Sequence, residues 1–111
     1  MKIYKEKELI NEIDGIVDLG NVEAGITKEF IYYVVNDEDS EIYDIVYTVE
    51  PLENETNEDY IKTASEIKIT EAPTNLMPQE VGEIKIVWES SISIKRGVKA
   101  KLRGVGKELW S

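Results

Sequence analysis

Short runs of alternating hydrophobic and polar residues recur along this chain, and such alternation predicts β-strands with one buried face. The cleanest run lies at residues 98–103, where apolar side chains should face inward and basic ones outward. Because lysine on an edge strand discourages unwanted strand pairing, this run is predicted to be an edge strand. A second alternating run places Ile84, Ile86 and Trp88 on one buried face. The inward and outward residues of the first run are Val98, Ala100 and Leu102, and Lys99, Lys101 and Arg103.

The strongest predicted strand covers residues 27–35, which end in an unbroken apolar and aromatic run. A run that is apolar on both faces is typical of a strand that lies centrally in the core or is covered on its outer face as well. Polar residues at positions 36–40 predict a turn. Alternation resumes at residues 42–50 with Val46 as the exception, so the two strands are predicted to form a hairpin. The residues expected on one face of the second strand are Tyr43, Ile45, Tyr47 and Val49.

Turn residues separate the remaining elements. A short strand ends at Gly20, another includes Ile67 and Ile69, and a prolonged turn at residues 72–78 is expected to direct Leu76 inward. Residues 52–64 are compatible with a loop or one helical turn, and residues 1–12 with a first strand, a short helix or an arm. About seven short strands without a convincing amphipathic helix predict an all-β, antiparallel sandwich as one domain at residues 13–106, followed by a tail at residues 107–111.

The composition narrows the possible chemistry, because the 111 residues include neither cysteine nor histidine. Disulfides, thiol nucleophiles and zinc–thiolate sites are therefore excluded, and the commonest general base is absent. A non-enzymatic protein without a cofactor is expected. The charged first eight residues do not resemble a secretion signal, and no run is long enough to span a membrane. The expectation is a complete small protein made in the cytosol.

Charge is distributed unevenly in this acidic chain, whose formal net charge is −10. Residues 29–60 contain eleven acidic residues and no lysine or arginine, whereas residues 90–111 contain six basic residues and one acidic residue. One interpretation is a set of solvated loops and a charged edge strand. The other is a dipolar module whose basic edge meets an acidic neighbour. The net charge argues against a general nucleic-acid binder, since phosphate contacts need cations.

Three short motifs follow one another along the chain: Leu19-Gly20 with Val22 and Gly25, the turn Leu76-Met77-Pro78-Gln79-Glu80 before the strand that ends in Trp88, and the close around Leu102 and Gly104. Their order resembles that of immunoglobulin-like domains of the ASH/MSP/Hydin group, in which a Leu-x-Pro-Gly-Glu turn precedes a strand ending in an aromatic residue. The resemblance covers about residues 13–106. The chain departs from it at Gln79, where glycine is usual, and after Glu89, where a proline is expected.

The resemblance implies an immunoglobulin-like sandwich with a structural role rather than an enzymatic one. Similar modules occur in phage virions, and the small size favours an accessory virion protein of a tailed phage that decorates the head or joins the neck or tail. Such a protein is made in the host cytoplasm and binds capsid, portal or tail proteins in multiple copies, without a membrane and without nucleic acid as its partner. Two alternatives stay open: a carbohydrate-binding module, which needs exposed aromatic side chains on one face, and a cytoskeletal or ciliary adaptor.

The candidate binding residues lie on the predicted basic edge and in the tail. The basic side chains are expected to steer an acidic protein partner, and the two apolar tail residues to anchor in it. The competing interpretations are a solvated, self-protecting edge and a tail that packs back on its own sandwich. The predicted partner-binding set is Lys99, Lys101, Arg103, Lys107, Leu109 and Trp110.

Two further clusters have weaker signals. Residues 36–41 carry enough oxygen atoms to suggest a calcium ligand set, but they lack the glycine and the distant glutamate of an EF-hand loop, so a plain acidic turn is the expected structure. The aromatic residues could form a platform for a sugar or a protein, although the spacing of Trp88 assigns it to the core. These aromatic residues are Tyr32, Tyr33, Tyr43, Tyr47, Trp88 and Trp110.

Overall fold

The computed structural model describes residues 1–108, apart from the side chain of Arg96, as two antiparallel β-sheets packed face to face. A four-stranded sheet has the order β1–β3–β6–β5, and a three-stranded sheet has the order β2–β7–β4. The predicted all-β sandwich is confirmed at this level. The elements in chain order are β1 (Lys2–Tyr4), β2 (Ile16–Val22), β3 (Thr27–Val35), β4 (Ile42–Pro51), α1 (Glu58–Ser65), β5 (Ile67–Glu71), β6 (Val81–Glu89) and β7 (Ile94–Glu108).

The hydrophobic core lies between the two sheets, and the alternating runs supply it from both sides. Ile84, Ile86 and Trp88 of β6 are fully buried, as their spacing predicts, and the Trp88 side chain donates a hydrogen bond from Nε1 to the carbonyl oxygen of Thr63 at 3.1 Å. The facing residues of β7 are Val98, Ala100 and Leu102, which are also buried. Because the only donor of this indole forms a hydrogen bond, burial of the ring stabilises the core without leaving a polar group unpaired.

The predicted hairpin of residues 27–50 is wrong, because β3 and β4 belong to different sheets. The turn between them is a crossover that is held by Asn36, a fully buried amide. Its Nδ2 donates to the carbonyl oxygens of Ser40 at 2.8 Å and Leu76 at 3.0 Å, while Oδ1 accepts from the backbone N–H of Glu38 at 2.9 Å. In a hairpin these backbone groups would pair between the two strands. Here the Asn36 amide binds them instead, and the chain continues into the second sheet.

The predicted edge position of residues 98–103 is also wrong, because β7 is the central strand of its sheet, between β2 and β4. The inward and outward assignment is nevertheless correct, since Lys99 and Arg103 are exposed and Lys101 is half-buried. Alternation reports which face a side chain occupies, but the neighbours of a strand depend on pairing with distant segments. The side chains of these basic residues therefore lie on the outer face of the sandwich.

A bulge in β4 changes the predicted face of Tyr43. The register with β7 shifts between Tyr43 and Val46, and Asp44 at the bulge has a positive φ of 51°. As a result Ile42 and Ile45 are both buried, whereas Tyr43 is half-buried outside the hydrophobic cluster. Tyr47 and Val49 pack against the core as predicted. The extra residue accounts for the burial of both Ile42 and Ile45, which lie three positions apart, because a bulge places two residues opposite one.

Helix α1 is longer than the loop or single helical turn that was predicted for residues 52–64. Its N-cap is Asn57, whose Oδ1 accepts from the backbone N–H of Asp59 at 2.9 Å. Glu58 and Asp59 add negative charge to the first turn, which favours the positive end of the helix dipole. The buried residues Tyr60 and Ala64 attach the helix to the core. Within residues 1–108, no helix has the length and apolar character needed to cross a membrane.

The turn that follows β5 directs Leu76 into the core, where 1% of its surface is exposed, as predicted. Leu76 also exchanges backbone hydrogen bonds with Ile42, at 2.9 and 2.8 Å, so the turn and the start of β4 form a small bridge between the sheets. Gln79 has a positive φ of 67° and donates its backbone N–H to the carbonyl oxygen of Asn36 at 2.7 Å. Asn36 therefore joins the crossover to this turn through both its side chain and its backbone.

Replacing Asn36 tests the crossover directly. In Asn36→Asp, a carboxylate oxygen faces the carbonyl oxygens of Ser40 and Leu76 where the amide donated. We expect the free energy of unfolding, measured by urea denaturation at pH 7, to fall by about 3 kcal/mol or more, because a buried charge is left among acceptors. The exposed control Asn54→Asp makes the same charge change and should stay within about 0.5 kcal/mol of the parent chain. A loss below about 1 kcal/mol in Asn36→Asp would contradict this assignment.

Candidate functional site

The predicted basic residues come together on the outer face of the three-stranded sheet. They occupy alternate positions of β7 because the intervening residues Val98, Ala100 and Leu102 are buried in the core. This row of four cations is called the basic stripe below, and it lies in a chain whose net charge is −10. The residues of the basic stripe are Lys99, Lys101, Arg103 and Lys107. Lys107 and Glu108, which the sequence pattern placed in the tail, belong to β7 and pair with Tyr43 and Ile42.

Carboxylates of the same chain accompany most of the basic stripe. Lys101 donates to Glu53 Oε1 at 2.8 Å, and Lys107 Nζ lies 3.6 Å from Asp44 Oδ2. Asp18 of β2 is the register partner of Lys99. The ammonium group of Lys101 lowers the pKa of the Glu53 carboxyl through its hydrogen bond and its charge, and the charge of Arg103 adds to this effect. The stripe is therefore a row of partly compensated charges.

Arg103 differs from the other three cations. Its register partner on β4 is Thr48, and within residues 1–108 it forms no ion pair. A guanidinium group has five donors in a planar fork that matches a carboxylate, and its exposed position leaves that fork accessible. Arg103 is thus the point at which the stripe can accept an external carboxylate without displacing an internal one.

Two exposed valines adjoin Arg103, and the sequence prediction missed both as site residues. Val46 and Val105 are register partners on β4 and β7, with 63% and 61% of their surface exposed. The available signals were the break in alternation at Val46 and the position of Val105 between two glycines. An arginine beside exposed aliphatic side chains is a composition typical of protein interfaces.

The glycines that flank Val105 are required by the core beneath it. A Cβ at Gly106 would lie 2.5 Å from Cγ2 of Ile42, and a Cβ at Gly104 would lie 2.9 Å from Cε1 of Tyr47. The inward positions of β7 at this point are filled by side chains of β4, so only Val105 projects from this stretch, and it projects outward. The sequence Gly-Val-Gly therefore presents one aliphatic side chain on a closely packed backbone.

The other sequence-predicted clusters do not form sites. Within residues 1–108, no group of three or more acidic side chains is arranged to hold a metal ion, and Asp37 of the acidic turn instead lies 3.2 Å from the amino group of Met1. The aromatic residues are dispersed, since Trp88 and Tyr32 are buried while Tyr33 and Tyr43 belong to different sheets. The predicted anchors Leu109 and Trp110 lie outside the described residues.

A cleft of about 580 Å³ lies beside the C-terminal end of α1, away from the basic stripe. Two of its polar residues bind each other: Glu66 Oε1 accepts from the Ser91 hydroxyl at 3.0 Å, and both carboxylate oxygens of Glu66 accept from the Ser91 backbone N–H. This arrangement ties the end of the helix to the turn after β6. It accounts for Glu66 and Ser91 without a ligand.

Comparison of this chain with protein-family models, with curated proteins and with solved structures gives no match in any of the three.

Tyr47, which supports the site from below, has a buried hydroxyl without a hydrogen-bond partner in the described part of the chain. Burial raises the pKa of this phenol to about 12, because the protein interior disfavours the phenolate. The pKa in the folded state exceeds the unfolded value of 10.0, so the folded state favours the protonated phenol more strongly than the unfolded state does. The stability that this difference contributes is fully present below pH 10. That contribution is lost as the pH rises from about 10 to about 12.

Tyr47→Phe removes this titration and the unpaired hydroxyl together. We expect the variant to be as stable as the parent chain at pH 7, or more stable by about 1 kcal/mol, and to lose less stability between pH 9 and pH 12. Urea denaturation across this pH range measures both effects. Tyr33→Phe, on the outer face of the other sheet, is the control for removing a phenol elsewhere. A steeper alkaline loss in Tyr47→Phe than in the parent chain would contradict the assignment.

Proposed function

We propose that this protein is a non-enzymatic structural and interaction module that docks on protein subunits of a larger assembly. The docking surface is the outer face of the three-stranded sheet around Arg103, Val105 and Val46. The observation that carries this proposal is the exposed Arg103, which forms no ion pair with any described side chain of residues 1–108 and lies beside two valines that are each more than 60% exposed. The surrounding lysines steer an acidic partner toward this point.

Immunoglobulin-like topology is part of the proposal. Immunoglobulin domains place their first, second, fifth and fourth strands in one sheet and their third, sixth and seventh in the other. The order β1–β3–β6–β5 corresponds to the first of these sheets if β1 and β2 are two halves of one split first strand. The backbone of Gln79 has the positive φ that glycine adopts most readily, at the position where the resembling domains carry glycine.

We further propose that the larger assembly is the virion of a tailed phage and that the partners are capsid, portal or tail proteins. The support for this step is the resemblance to immunoglobulin-like virion modules, together with the small size of the chain. The absence of histidine and cysteine and the engagement of carboxylates with lysines favour a role without catalysis. Because fold analogy carries this step, the partner must be identified by experiment.

The test compares three forms of the full chain as bait for proteins from the source cells or particles. These are the parent chain, the face variant Arg103→Glu with Val105→Asp, and the control variant Lys62→Glu with Lys68→Glu. The control changes exposed lysines on α1 and β5, away from the three-stranded sheet. We expect the parent and control chains to capture the same protein and the face variant to capture at least about tenfold less, since an unpaired interfacial charge costs more than 1.4 kcal/mol.

Mass spectrometry of the captured protein and negative-stain imaging of co-purified particles complete the experiment. A capsid, portal or tail protein in regular particles supports the virion proposal. Equal capture by the parent chain and the face variant would refute the docking surface. A captured protein from outside a virion, lost with the face variant, would retain the docking surface and refute the virion assignment.

A further inference from the structure

β1 and β2 belong to different sheets, and within residues 1–108 this leaves part of β7 paired on one side only. β1 pairs with β3 in the four-stranded sheet, and the chain then crosses to the other sheet, where β2 pairs with β7. The pairing of β2 runs from Ile94 to Lys101 of β7 and stops there. One more contact follows, in which the backbone N–H of Leu102 donates to the carbonyl oxygen of Gly15 at 2.7 Å.

Residues 103–108 of β7 form an open half-edge. On one side, β4 pairs with β7 as far as Glu108, but on the side that β2 occupies earlier, no segment of residues 1–108 pairs with this stretch. Every second residue of such an edge directs its backbone N–H and C=O away from the existing ladder. The half-edge of residues 103–108, called the β7 half-edge below, is therefore able to accept an added strand.

A groove lies beside the start of the β7 half-edge, at Arg103 and Gly104. A depression of about 250 Å³ lies between the first strand and this part of β7. It is lined by residues 1–3, 12–15 and 102–104. An extended segment that continues the line of β2 would enter at this groove and run along residues 103–108.

The other unpaired edges are less suited to an added strand. The register of β2 shifts twice against β7, β5 and β4 each contain a bulge, and β1 has three residues. Short and bulged strands are features that protect an edge. In the part of β3 that β1 leaves open, the Lys28 side chain reaches the other sheet, where its ammonium group donates to the carbonyl oxygen of Asn21 of β2. The β7 half-edge has no bulge of its own and no proline.

The side chains of the β7 half-edge specify the occupant. Arg103, Val105 and Lys107 project from it on the outer face, so an added strand would place one side chain beside each, with Cβ atoms about 4.5–5.5 Å apart. The two cations repel a second copy of the same edge and attract carboxylates. The complementary strand therefore carries an acidic, an aliphatic and a second acidic residue at alternate positions.

We propose that the β7 half-edge binds an extended protein segment of the pattern acidic-x-aliphatic-x-acidic by strand addition. This inference rests on the proposed function and deepens it, since it names the binding mode and the chemistry of the partner. The backbone hydrogen bonds of the added strand supply affinity, and the alternating side chains beside Arg103, Val105 and Lys107 supply specificity.

The probe is the capped peptide Thr-Glu-Thr-Val-Thr-Glu-Thr, whose palindromic sequence serves either strand direction. It is titrated into the full chain and followed by amide NMR. We expect shifts centred on residues 103–108 and binding about tenfold weaker for the same peptide with lysine in place of both glutamates. The protein variant Arg103→Glu with Lys107→Glu should reverse this preference, whereas Lys62→Glu with Lys68→Glu should preserve it. Retained amide dispersion shows that each variant is folded.

Two backbone-methylated peptides separate strand addition from adhesion to the face. One is N-methylated at both glutamates and the valine and the other at all four threonines, so only one of them can donate its N–H groups to the β7 half-edge. We expect one methylated peptide to lose binding and the other to keep it. Equal binding of both, shifts centred elsewhere, or no shift at a peptide concentration on the order of 1 mM would each overturn the inference.

The two proposals can fail separately. Capture of the partner that depends on Arg103 and Val105, combined with a negative peptide titration, would refute strand addition and leave the docking face. Peptide binding at the half-edge, combined with capture that is indifferent to the face variant, would support strand addition and refute the proposed assembly contact.

Discussion

The buried amide of Asn36 is the interaction on which the two-sheet arrangement depends. A chain that crosses from one sheet to the other must form hydrogen bonds with its backbone polar groups on the way. Here one side chain forms three of these hydrogen bonds. Asn36 bonds to the crossover at Ser40 and Glu38 and to the distant turn at Leu76. Because Leu76 in turn pairs with Ile42, the start of β4 is positioned by the same group of contacts. The position of β4 then determines what β7 can present.

The outer face of the three-stranded sheet follows from this arrangement. β4 carries a bulge at Asp44 that keeps both Ile42 and Ile45 in the core, and Val46 then faces outward by regular alternation. Gly104 and Gly106 of β7 allow the side chains of β4 to pack closely beneath them. Arg103 and Val105 are therefore displayed on a rigid support and not on a loop. Residues held by packed strands lose little conformational entropy on binding, which favours their use as contacts.

Sequence patterns predicted local features well and pairing poorly. Alternation assigned the faces of β6 and β7 correctly, because the side-chain period of a strand is a local property. The edge position of β7 and the hairpin of β3 and β4 were wrong, because strand neighbours depend on contacts such as that of Asn36 with Leu76, forty residues apart. Helix α1 had a usable signal in Asn57, Glu58 and Asp59, but its short apolar stripe hid it. At the site, the basic stripe was found from spacing, and Val46 was visible as an apolar residue at an outward position, whereas its pairing with Val105 depends on contacts between distant segments.

The offset of the two ladders on β7 has a mechanical consequence. β2 holds the first half of this fifteen-residue strand on one side, and β4 holds the second half on the other, with overlap near Ala100 and Lys101. β7 thus connects β2 to β4 through two offset ladders that overlap over only a few residues. Tension that pulls β2 and β4 in opposite directions along their axes would load the hydrogen bonds of both ladders in shear, many at a time, instead of opening them one after another. Separation of β2 from β4 along the strand axes is therefore expected to need more force than the opening of a single ladder from one end.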